Sequence, residues 1–208
     1  LLETGAVSVS PNKPFTLTSG RLSPVYVDCR RLISFVDARR RLMEMSTIKL
    51  QHLKQDIDVL AGGETAGIAY AAYLSELMSK PMIYIRKKPK GFGRNARIEG
   101  VLNEGDQVVL VEDLATDGGS KLSFIEAIRE IGATCHHCFV IFNYGVFETK
   151  MNRLEEYGIK MHWLCVWEDV LKVARQKQYL SEADCQYVRD FLDDPEGWQA
   201  NQKNGQKI

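Results

Sequence analysis

Residues 107–120 read QVVLVEDLATDGGS and join a hydrophobic run to a pair of acids and a glycine-containing turn. The run at 108–111 contains three valines and a leucine, the composition expected of a strand that is covered on both faces of a parallel sheet. Two adjacent carboxylates, Glu112 and Asp113, follow it directly. Ligands of open parallel sheets bind outside the carboxyl ends of the strands, so we expect a strand that ends at these acids and carries a binding site.

The turn at 116–120 has the composition of a phosphate-binding loop. Its glycines leave backbone N–H groups unhindered, its threonine and serine add hydroxyl groups, and a predicted helix begins near Lys121. Amide donors and the positive end of the helix dipole would hold a phosphate there. The preceding acids would repel that phosphate unless they faced another part of the ligand, and the hydroxyl groups of a ribose can donate to Glu112 and Asp113. The stretch therefore predicts a site for a ribose 5-phosphate.

Two common phosphate-binding motifs are excluded. The chain has no GxGxxG fingerprint of a dinucleotide-binding fold, and no GK[ST] follows the glycines as it would in a P-loop. The alternative interpretation is an acidic strand end followed by an ordinary glycine turn. The succession of strand, acids, glycine turn and helix favours the sugar-phosphate site.

Composition restricts the class of protein. The chain has 208 residues, 45% of them hydrophobic, which suits one globular α/β domain with a sizeable core. Its 27 basic and 27 acidic residues give a formal net charge of zero, so bulk charge indicates neither a nucleic-acid nor a membrane partner. No run reaches the length of a transmembrane helix and no signal-peptide pattern opens the chain. We therefore expect a cytoplasmic protein.

The cysteines are odd in number and scattered, so reduced thiols are expected rather than a disulfide framework. They are Cys29, Cys135, Cys138, Cys165 and Cys185. The run CHHC at 135–138 could suggest zinc, but no second ligand pair lies at the expected spacing. The apolar residues that follow it at 139–142 favour a strand entrance with small buried thiols.

Outside these motifs, short hydrophobic runs alternate with longer helical patterns. This alternation predicts parallel strands joined by right-handed crossovers, and hence an α/β domain. The predicted strands cover 58–63, 81–86, 108–111, 139–142 and 161–166. The predicted helices cover 39–53, 66–78, 122–131 and 151–157, with further helices from 167 and a disordered polar end at 201–207.

The first part of the chain predicts a small hood. Residues 15–20 and 23–28 form two extended runs around a turn, as in a hairpin. Residues 1–5, LLETG, are typical of the last turn of a helix closed by glycine. We therefore expect the natural protein to have further residues before Leu1.

Residues 86–97, RKKPKGFGRNAR, carry six basic residues and no acidic one. Glycines at 91, 93 and 100 would let this segment open and close. A solvated loop is one interpretation, because charge runs are often only that. Next to a sugar-phosphate site, an anion-binding loop is favoured. Lysines that close over a pyrophosphate leaving group would stabilise the charge that grows on it, and closure would exclude water.

The segments SGRLSPVYVD, YIRKKPKGFG…IEG and VEDLATDGGS together resemble orotate phosphoribosyltransferase, a type I phosphoribosyltransferase, in a bacterial form. The resemblance extends from Leu1 to about Trp198. It implies a parallel-sheet core with an N-terminal hood and a flexible basic loop, all in one domain spanning 1–208. The hood would cover about 1–36, the loop about 86–100 and a C-terminal helical tail about 167–208.

This resemblance implies an enzyme, a pentosyltransferase of de novo pyrimidine synthesis. It would transfer the ribosyl 5-phosphate group from phosphoribosyl pyrophosphate (PRPP) to orotate, giving orotidine 5′-monophosphate and pyrophosphate. Mg²⁺ would enter mainly with PRPP, without a dedicated protein site. The resemblance also implies a homodimer in which each basic loop reaches the neighbouring subunit's site.

The resemblance assigns roles to particular residues. Lys90 and Asp113 would be catalytic, and Thr116 would lie near orotate. Residues from the loop and from the acidic stretch would bind PRPP: Arg86, Lys87, Lys90, Glu112, Asp113, Leu114, Ala115, Thr116, Asp117, Gly118, Gly119 and Ser120.

Several positions depart from the family pattern. Phe92 replaces a loop histidine, and Thr18 and Ala66 stand where some members have lysines. Residues 143–145, Asn-Tyr-Gly, replace an Asp-Arg pair whose arginine often contacts the orotate carboxylate. Arg21 is a candidate for that contact, with an ordinary surface arginine as the alternative.

Three other functions remain open. They are a phosphoribosyltransferase that salvages purines or other nucleobases, a regulatory protein of the same fold that binds PRPP, and a nucleotide-binding module without catalysis. The long hood and the PKGFGRNARIEG loop favour orotate over the first. No basic face outside the loop supports a regulatory protein that binds RNA.

Overall fold

The structure, a computed structural model, describes residues 1–11, 13–17, 20–90, 97–116, 119–145 and 154–203, with only the backbone at 119 and 203. They form two compact units, Ile33–Val166 and a second made of Leu1–Leu32 with Trp167–Ile208. The sequence predicted one domain over 1–208, and that both units belong to one functional domain stays a prediction.

The strands and helices follow each other along the chain in the order that the sequence predicts for the core. The strands are β1 (Val7–Val9), β2 (Phe15–Thr16), β3 (Leu22–Ser23), β4 (Val25–Val27), β5 (Val59–Gly63), β6 (Met82–Ile85), β7 (Ile98–Glu99), β8 (Gln107–Ala115), β9 (Thr134–Asn143) and β10 (Lys160–Val166). The helices are α1 (Val36–Leu50), α2 (Ala66–Met78), α3 (Gly119–Arg129), α4 (Trp167–Gln176), α5 (Glu182–Asp193) and α6 (Pro195–Lys203), with 3₁₀ turns at Cys29–Ser34 and Gln51–Leu53. Residues 154–156 are also helical, so the helix predicted at 151–157 is described only from its fourth residue.

The larger unit is built on a six-stranded sheet with the order β10-β9-β8-β5-β6-β7. Neighbouring strands are parallel except for β7, which runs antiparallel to β6. From β5 the chain moves outward to β6, and from β8 it moves outward in the other direction to β9 and β10. The strand order therefore reverses between β5 and β8, where open α/β sheets bind their ligands. The predicted α/β fold with a parallel sheet is confirmed.

Glycines bring α2 against the ends of β5 and β8. A Cβ atom on Gly62 would lie 2.7 Å from the Cα atom of Ile68, and one on Gly67 would collide with the carbonyl oxygen of Val111. No larger side chain fits at either position without moving backbone. The glycines of residues 61–68, AGGETAGI, are thus explained by the close approach of the first turn of α2 to two strand ends.

β8 is longer than the sequence predicted. The strand was expected to end before Glu112, but its pairing with β9 continues to Ala115, which lies opposite Asn143. Its pairing with β5 stops where Val111 lies opposite Gly62. The hydrogen bonds to β9 therefore keep the acids inside a strand, while the edge toward β5 is open beyond Val111.

The CHHC run lies within β9, which begins at Thr134 and not at 139 as predicted. Cys135 and Cys138 are buried in the core, as expected, and burial raises the pKa of Cys135 to about 11. His137 Nδ1 lies 3.0 Å from Nε2 of His162 on β10. Burial and the neighbouring histidines lower the pKa of His162 to about 4, so this side chain is neutral at pH 7.

In the smaller unit, a hairpin is observed where it was predicted, but it pairs β2 with the short strand β3. Most of the run predicted at 23–28 as its second strand forms β4, which pairs antiparallel with β1. The C-terminal helices belong to the same unit, since the Gln199 side chain accepts a hydrogen bond of 3.0 Å from the Leu22 N–H and the Tyr187 hydroxyl donates to the Pro11 carbonyl at 3.0 Å. Of the polar end that was expected to be disordered, residues 201–203 are helical.

The predicted glycine-closed turn at 1–5 is also observed. The Gly5 N–H donates to the Leu2 carbonyl and the Ala6 N–H to the Leu1 carbonyl, with Gly5 at φ +66°. This hydrogen-bond pattern is that of a Schellman motif at the end of a helical turn.

Candidate active site

The site lies where the carboxyl ends of β5 and β8 meet the first turns of α2 and α3. Glu112 on β8 is 8% exposed, and its carboxylate lies over Gly63, where a Cβ atom would overlap Glu112 Oε1. The Phe124 ring on α3 limits the same space, because that Cβ atom would be 2.8 Å from it. The glycine at the end of β5 therefore makes the room in which the Glu112 side chain is buried.

Burial dominates the electrostatics of Glu112. Desolvation raises its pKa to about 7, Lys121 opposes this rise, Asp113 adds to it, and Lys87 opposes it. Glu112 Oε1 has no hydrogen-bond partner among the described residues. Buried polar atoms are nearly always satisfied in folded proteins, so an acceptor without a donor is expected where a ligand hydroxyl group completes the site.

Asp113 is also buried and accepts a hydrogen bond of 2.9 Å from the Leu114 N–H at Oδ1. Consecutive side chains of a strand leave it on opposite faces, so the two carboxylates do not lie side by side. A ligand that contacts both therefore lies across the end of β8.

The predicted phosphate turn connects β8 directly to α3. Thr116 is half-buried after the strand, and α3 begins at Gly119, earlier than predicted, with Ser120 exposed in its first turn. Asp117 and Gly118 lie outside the described residues. The helix N-terminus is positioned for an anion, whereas the predicted contacts of residues 114–120 with a phosphate stay a prediction.

Lys121 is a site residue that the sequence interpretation missed. Its side chain is 3% exposed, its Nζ donates to the Leu114 carbonyl at 2.8 Å, and it lies 4.0 Å from Glu112 Oε2. A signal was available, because positions 121, 124, 125 and 128 share one helical face and the last three carry buried hydrophobic side chains. That spacing places Lys121 on the buried face of α3.

One hydrogen bond joins the basic loop to the end of β5, and two others join the first and last residues of the loop to each other. The Lys87 N–H donates to Glu64 Oε2 at 2.7 Å, just after β5. At the other end of the loop, the Arg86 N–H donates to the Arg97 carbonyl at 2.8 Å, and Arg97 Nε donates to the Arg86 carbonyl at 3.0 Å. Residues 91–96, including Phe92, lie outside the described residues.

Glu99 on β7 pairs with two of the predicted PRPP-binding cations. Arg86 lies 3.7 Å from Glu99 Oε1, and Lys90 forms an ion pair with the same oxygen. The sequence interpretation found no acid in the segment 86–97, and Glu99 stands two residues beyond that segment. Without a ligand, this carboxylate therefore neutralises part of the positive charge of the loop.

The residues considered for orotate lie in different parts of the fold. Arg21 is in the smaller unit, between β2 and β3, and Thr116 is in the larger one. At the end of β9, Asn143 is buried and its Oδ1 accepts a hydrogen bond of 3.3 Å from the Gly145 N–H, while the Tyr144 N–H donates to the Ala115 carbonyl at 2.9 Å. The roles of Arg21 and Thr116 toward orotate stay predictions.

Two further properties concern the part of the chain that the structure describes. In it, no group of three or more His, Cys, Asp or Glu residues could hold a metal ion. None of its helices is long and apolar enough to cross a membrane.

Comparison with known proteins gives consistent results, although no protein-family model matches the chain. The chain is 52% identical over 206 residues to the orotate phosphoribosyltransferase of Ruegeria sp., covering 98% of this chain and 91% of that protein. Among solved structures it is similar to UMP synthase of Leishmania donovani, with a TM-score of 0.80 and 28% identity over 93% of this chain and 40% of that one. It is also similar to orotate phosphoribosyltransferase of Aeropyrum pernix, with a TM-score of 0.72 and 28% identity over 86% of this chain and 96% of that one.

The buried Glu112 predicts a pH-dependent gain of stability on its removal. Its pKa is about 7 in the folded protein against an ordinary value of 4.5, so ionisation costs nothing below pH 4.5 and the full cost is present above pH 7. We expect Glu112→Gln to raise the free energy of unfolding at pH 8 by up to about 3 kcal/mol relative to its effect at pH 4. Urea unfolding at both pH values measures this, with the exposed Glu126→Gln as control. Equal effects of Glu112→Gln at both pH values would contradict it.

Proposed function

The chain belongs to the orotate phosphoribosyltransferase family, and we propose that the meeting point of β5, β8, α2 and α3 is its active site, which a basic loop completes. The reaction of this family transfers the ribosyl 5-phosphate group of PRPP to orotate and releases pyrophosphate, in pyrimidine biosynthesis. The core is accordingly that of a type I phosphoribosyltransferase. One observation carries the assignment of the site: two buried carboxylates at the strand-order reversal lie on β8, the strand that leads into the N-terminus of α3.

In this proposal the end of β8 binds the ribose 5-phosphate part of PRPP. Glu112 and Asp113 accept hydrogen bonds from the ribose hydroxyl groups, and Glu112 Oε1, which has no donor in the described protein, gains one. The 5′-phosphate binds the backbone amides that lead into α3 and the positive end of its dipole. The contacts come from Leu114, Ala115, Thr116, Asp117, Gly118, Gly119 and Ser120.

The basic loop acts on the pyrophosphate. Arg86, Lys87 and Lys90 bind it, and Lys90 stabilises the negative charge that increases on it as the glycosidic bond breaks. Glu99 holds Arg86 and Lys90 when no ligand is present. Pyrophosphate, with several charges, replaces this single carboxylate as their partner. A contact that strengthens as charge develops favours the transition state over the bound substrate.

Asp113 supports the other fragment of the reaction. Loss of pyrophosphate leaves positive charge on the ribosyl ring, and a carboxylate near the ring stabilises it.

Mg²⁺ enters as a complex with the phosphates of PRPP, since this ion keeps several waters and usually binds through substrate phosphates. It reduces the charge of the pyrophosphate, while the protein residues position the ribose. Orotate is proposed to bind near Thr116.

The active protein is proposed to be a cytoplasmic homodimer in which each loop serves the partner's site. Such exchange would place Lys90 of one subunit against PRPP held by Asp113 of the other. It requires neither a nucleic-acid nor a membrane partner.

The function is tested by the absorbance of orotate in the presence of PRPP and Mg²⁺. We expect orotate to be consumed only when protein, PRPP and Mg²⁺ are all present, with pyrophosphate formed in equal amount. If orotate is untouched while hypoxanthine, adenine or uracil is converted, the protein is a salvage phosphoribosyltransferase. If none of the four reacts, a regulatory or binding role replaces the proposal.

Replacement of Lys90 is expected to reduce turnover. Lys90→Ala should lower kcat on the order of 10²-fold and change the KM for PRPP much less, because the lost contact is strongest in the transition state. The matched control is Lys88→Ala, which removes another exposed lysine of the same loop. Steady-state kinetics of both variants give the comparison. Equal, small effects would remove Lys90 from the mechanism.

Loop exchange predicts complementation between two inactive variants. Mixing Lys90→Ala and Asp113→Asn chains under conditions of subunit exchange should restore about a quarter of the wild-type activity, because half of the dimers are hybrids with one intact site. The control mixes Lys90→Ala with the double variant Lys90→Ala/Asp113→Asn, in which no site can be intact. Activity that stays at the level of the control would show that each subunit uses its own loop.

A further inference from the structure

Lys121 places a charged group in the core beside the candidate site. Its side chain is 3% exposed and projects from the first turn of α3 toward the end of β8. Lysine is almost never fully buried unless it is paired. Apolar residues of similar volume often replace a buried ion pair without loss of stability, so packing alone does not explain an amine here.

The contacts of Lys121 join two parts of the proposed PRPP site. Its Nζ donates to the Leu114 carbonyl at 2.8 Å. The Leu114 N–H in turn donates to Asp113 Oδ1 at 2.9 Å. The same Nζ lies 4.0 Å from Glu112 Oε2. One ammonium group therefore connects the backbone at the end of β8 with the buried carboxylate that has an unsatisfied oxygen.

We propose that Lys121 is a positioning residue for PRPP, a fixed internal counter-ion that favours the ionised form of Glu112 and orients it as the acceptor of a ribose hydroxyl group. This inference rests on the proposed function. Lys121 acts through Glu112 and the Leu114 backbone and need not contact the substrate.

The other groups around Glu112 do not replace this charge. Asp113 on the same strand raises the pKa of Glu112, and Lys87, after β6, lowers it less than Lys121 does. Gly63 and Phe124 pack against the carboxylate without bringing charge. Cys138 on β9 is a neutral thiol, because burial raises its pKa. Lys121 is thus the principal group that offsets the effect of desolvation on the pKa of Glu112.

Loss of this charge should change the pH dependence of PRPP binding. With the pKa of Glu112 at about 7 in the presence of Lys121, removal of the cation moves ionisation to higher pH. The protonated carboxyl has lost acceptor capacity, so the midpoint of the acidic limb of the binding curve should move to higher pH. Each unit of this displacement lowers affinity about tenfold at a pH below both midpoints.

The test measures the Kd of PRPP by calorimetry from pH 5.5 to 9 for wild type, Lys121→Gln and Lys121→Arg. Glutamine removes the charge and retains an N–H donor one bond closer to the backbone, whereas arginine keeps the charge. We expect the acidic limb of Lys121→Gln to move to higher pH by about one pH unit, with near wild-type affinity at pH 9. Lys121→Arg should retain the wild-type midpoint. Titration of PRPP itself is common to all variants and cancels in the comparison. The control is Lys88→Gln, an exposed loop lysine.

Each outcome decides the inference. A Lys121→Gln curve with the wild-type midpoint, or with a uniform loss of affinity at every pH, assigns Lys121 a structural role and overturns it. Infrared spectra of the free protein give a second readout: a protonated-carboxyl band that Glu112→Gln abolishes should titrate at higher pH in Lys121→Gln than in wild type. If wild type consumes orotate but the variants show no displacement, only this inference fails. If wild type does not bind PRPP, the proposed function fails as well.

Discussion

The site depends on the close approach of backbone segments at the ends of β5 and β8. Gly62 and Gly67 bring the first turn of α2 against both strands, and Gly63 leaves the space that the Glu112 side chain fills. Side chains at these positions would separate α2 from the sheet or expel the carboxylate. The buried acid, the position of α3 and the attachment of the basic loop to Glu64 all follow from this packing.

The same packing creates electrostatic costs that a ligand can relieve. Glu112 is desolvated and has an oxygen without a donor among the residues that the structure describes, and Arg86 and Lys90 of the loop are paired with Glu99. A sugar with hydroxyl groups and a polyanion supplies the missing donor and a stronger partner for the cations. The free protein is therefore less satisfied internally than its complex, which is a common way for a site to be preorganised for a ligand.

Features with a local physical cause could be predicted from the sequence. The helix at 66–78 was placed at its observed bounds, because its composition is strongly helical and glycines precede it. The two acids of β8 and the turn that follows it were also predicted, because the local sequence alone identifies them. Features that depend on distant partners were missed: β8 continues to Ala115 because β9 pairs with it, and Glu99 reaches Lys90 from a strand too short to be recognised. Lys121 was not predicted as a site residue, because its burial depends on the packing of α3 against the end of β8.

The composition of the smaller unit has a consequence for biosynthesis. Its strands come from Leu1–Leu32 and its helices from Trp167–Ile208, whereas the larger unit is one uninterrupted segment, Ile33–Val166. Contacts between residues far apart in sequence form slowly, and domains fold as units while the chain emerges from the ribosome. Nascent chains can thus complete the larger sheet before the helices of Trp167–Ile208 emerge, whereas the strands of Leu1–Leu32 must wait for those helices. Until then, the hydrogen bonds that Gln199 and Tyr187 make with Leu22 and Pro11 cannot form.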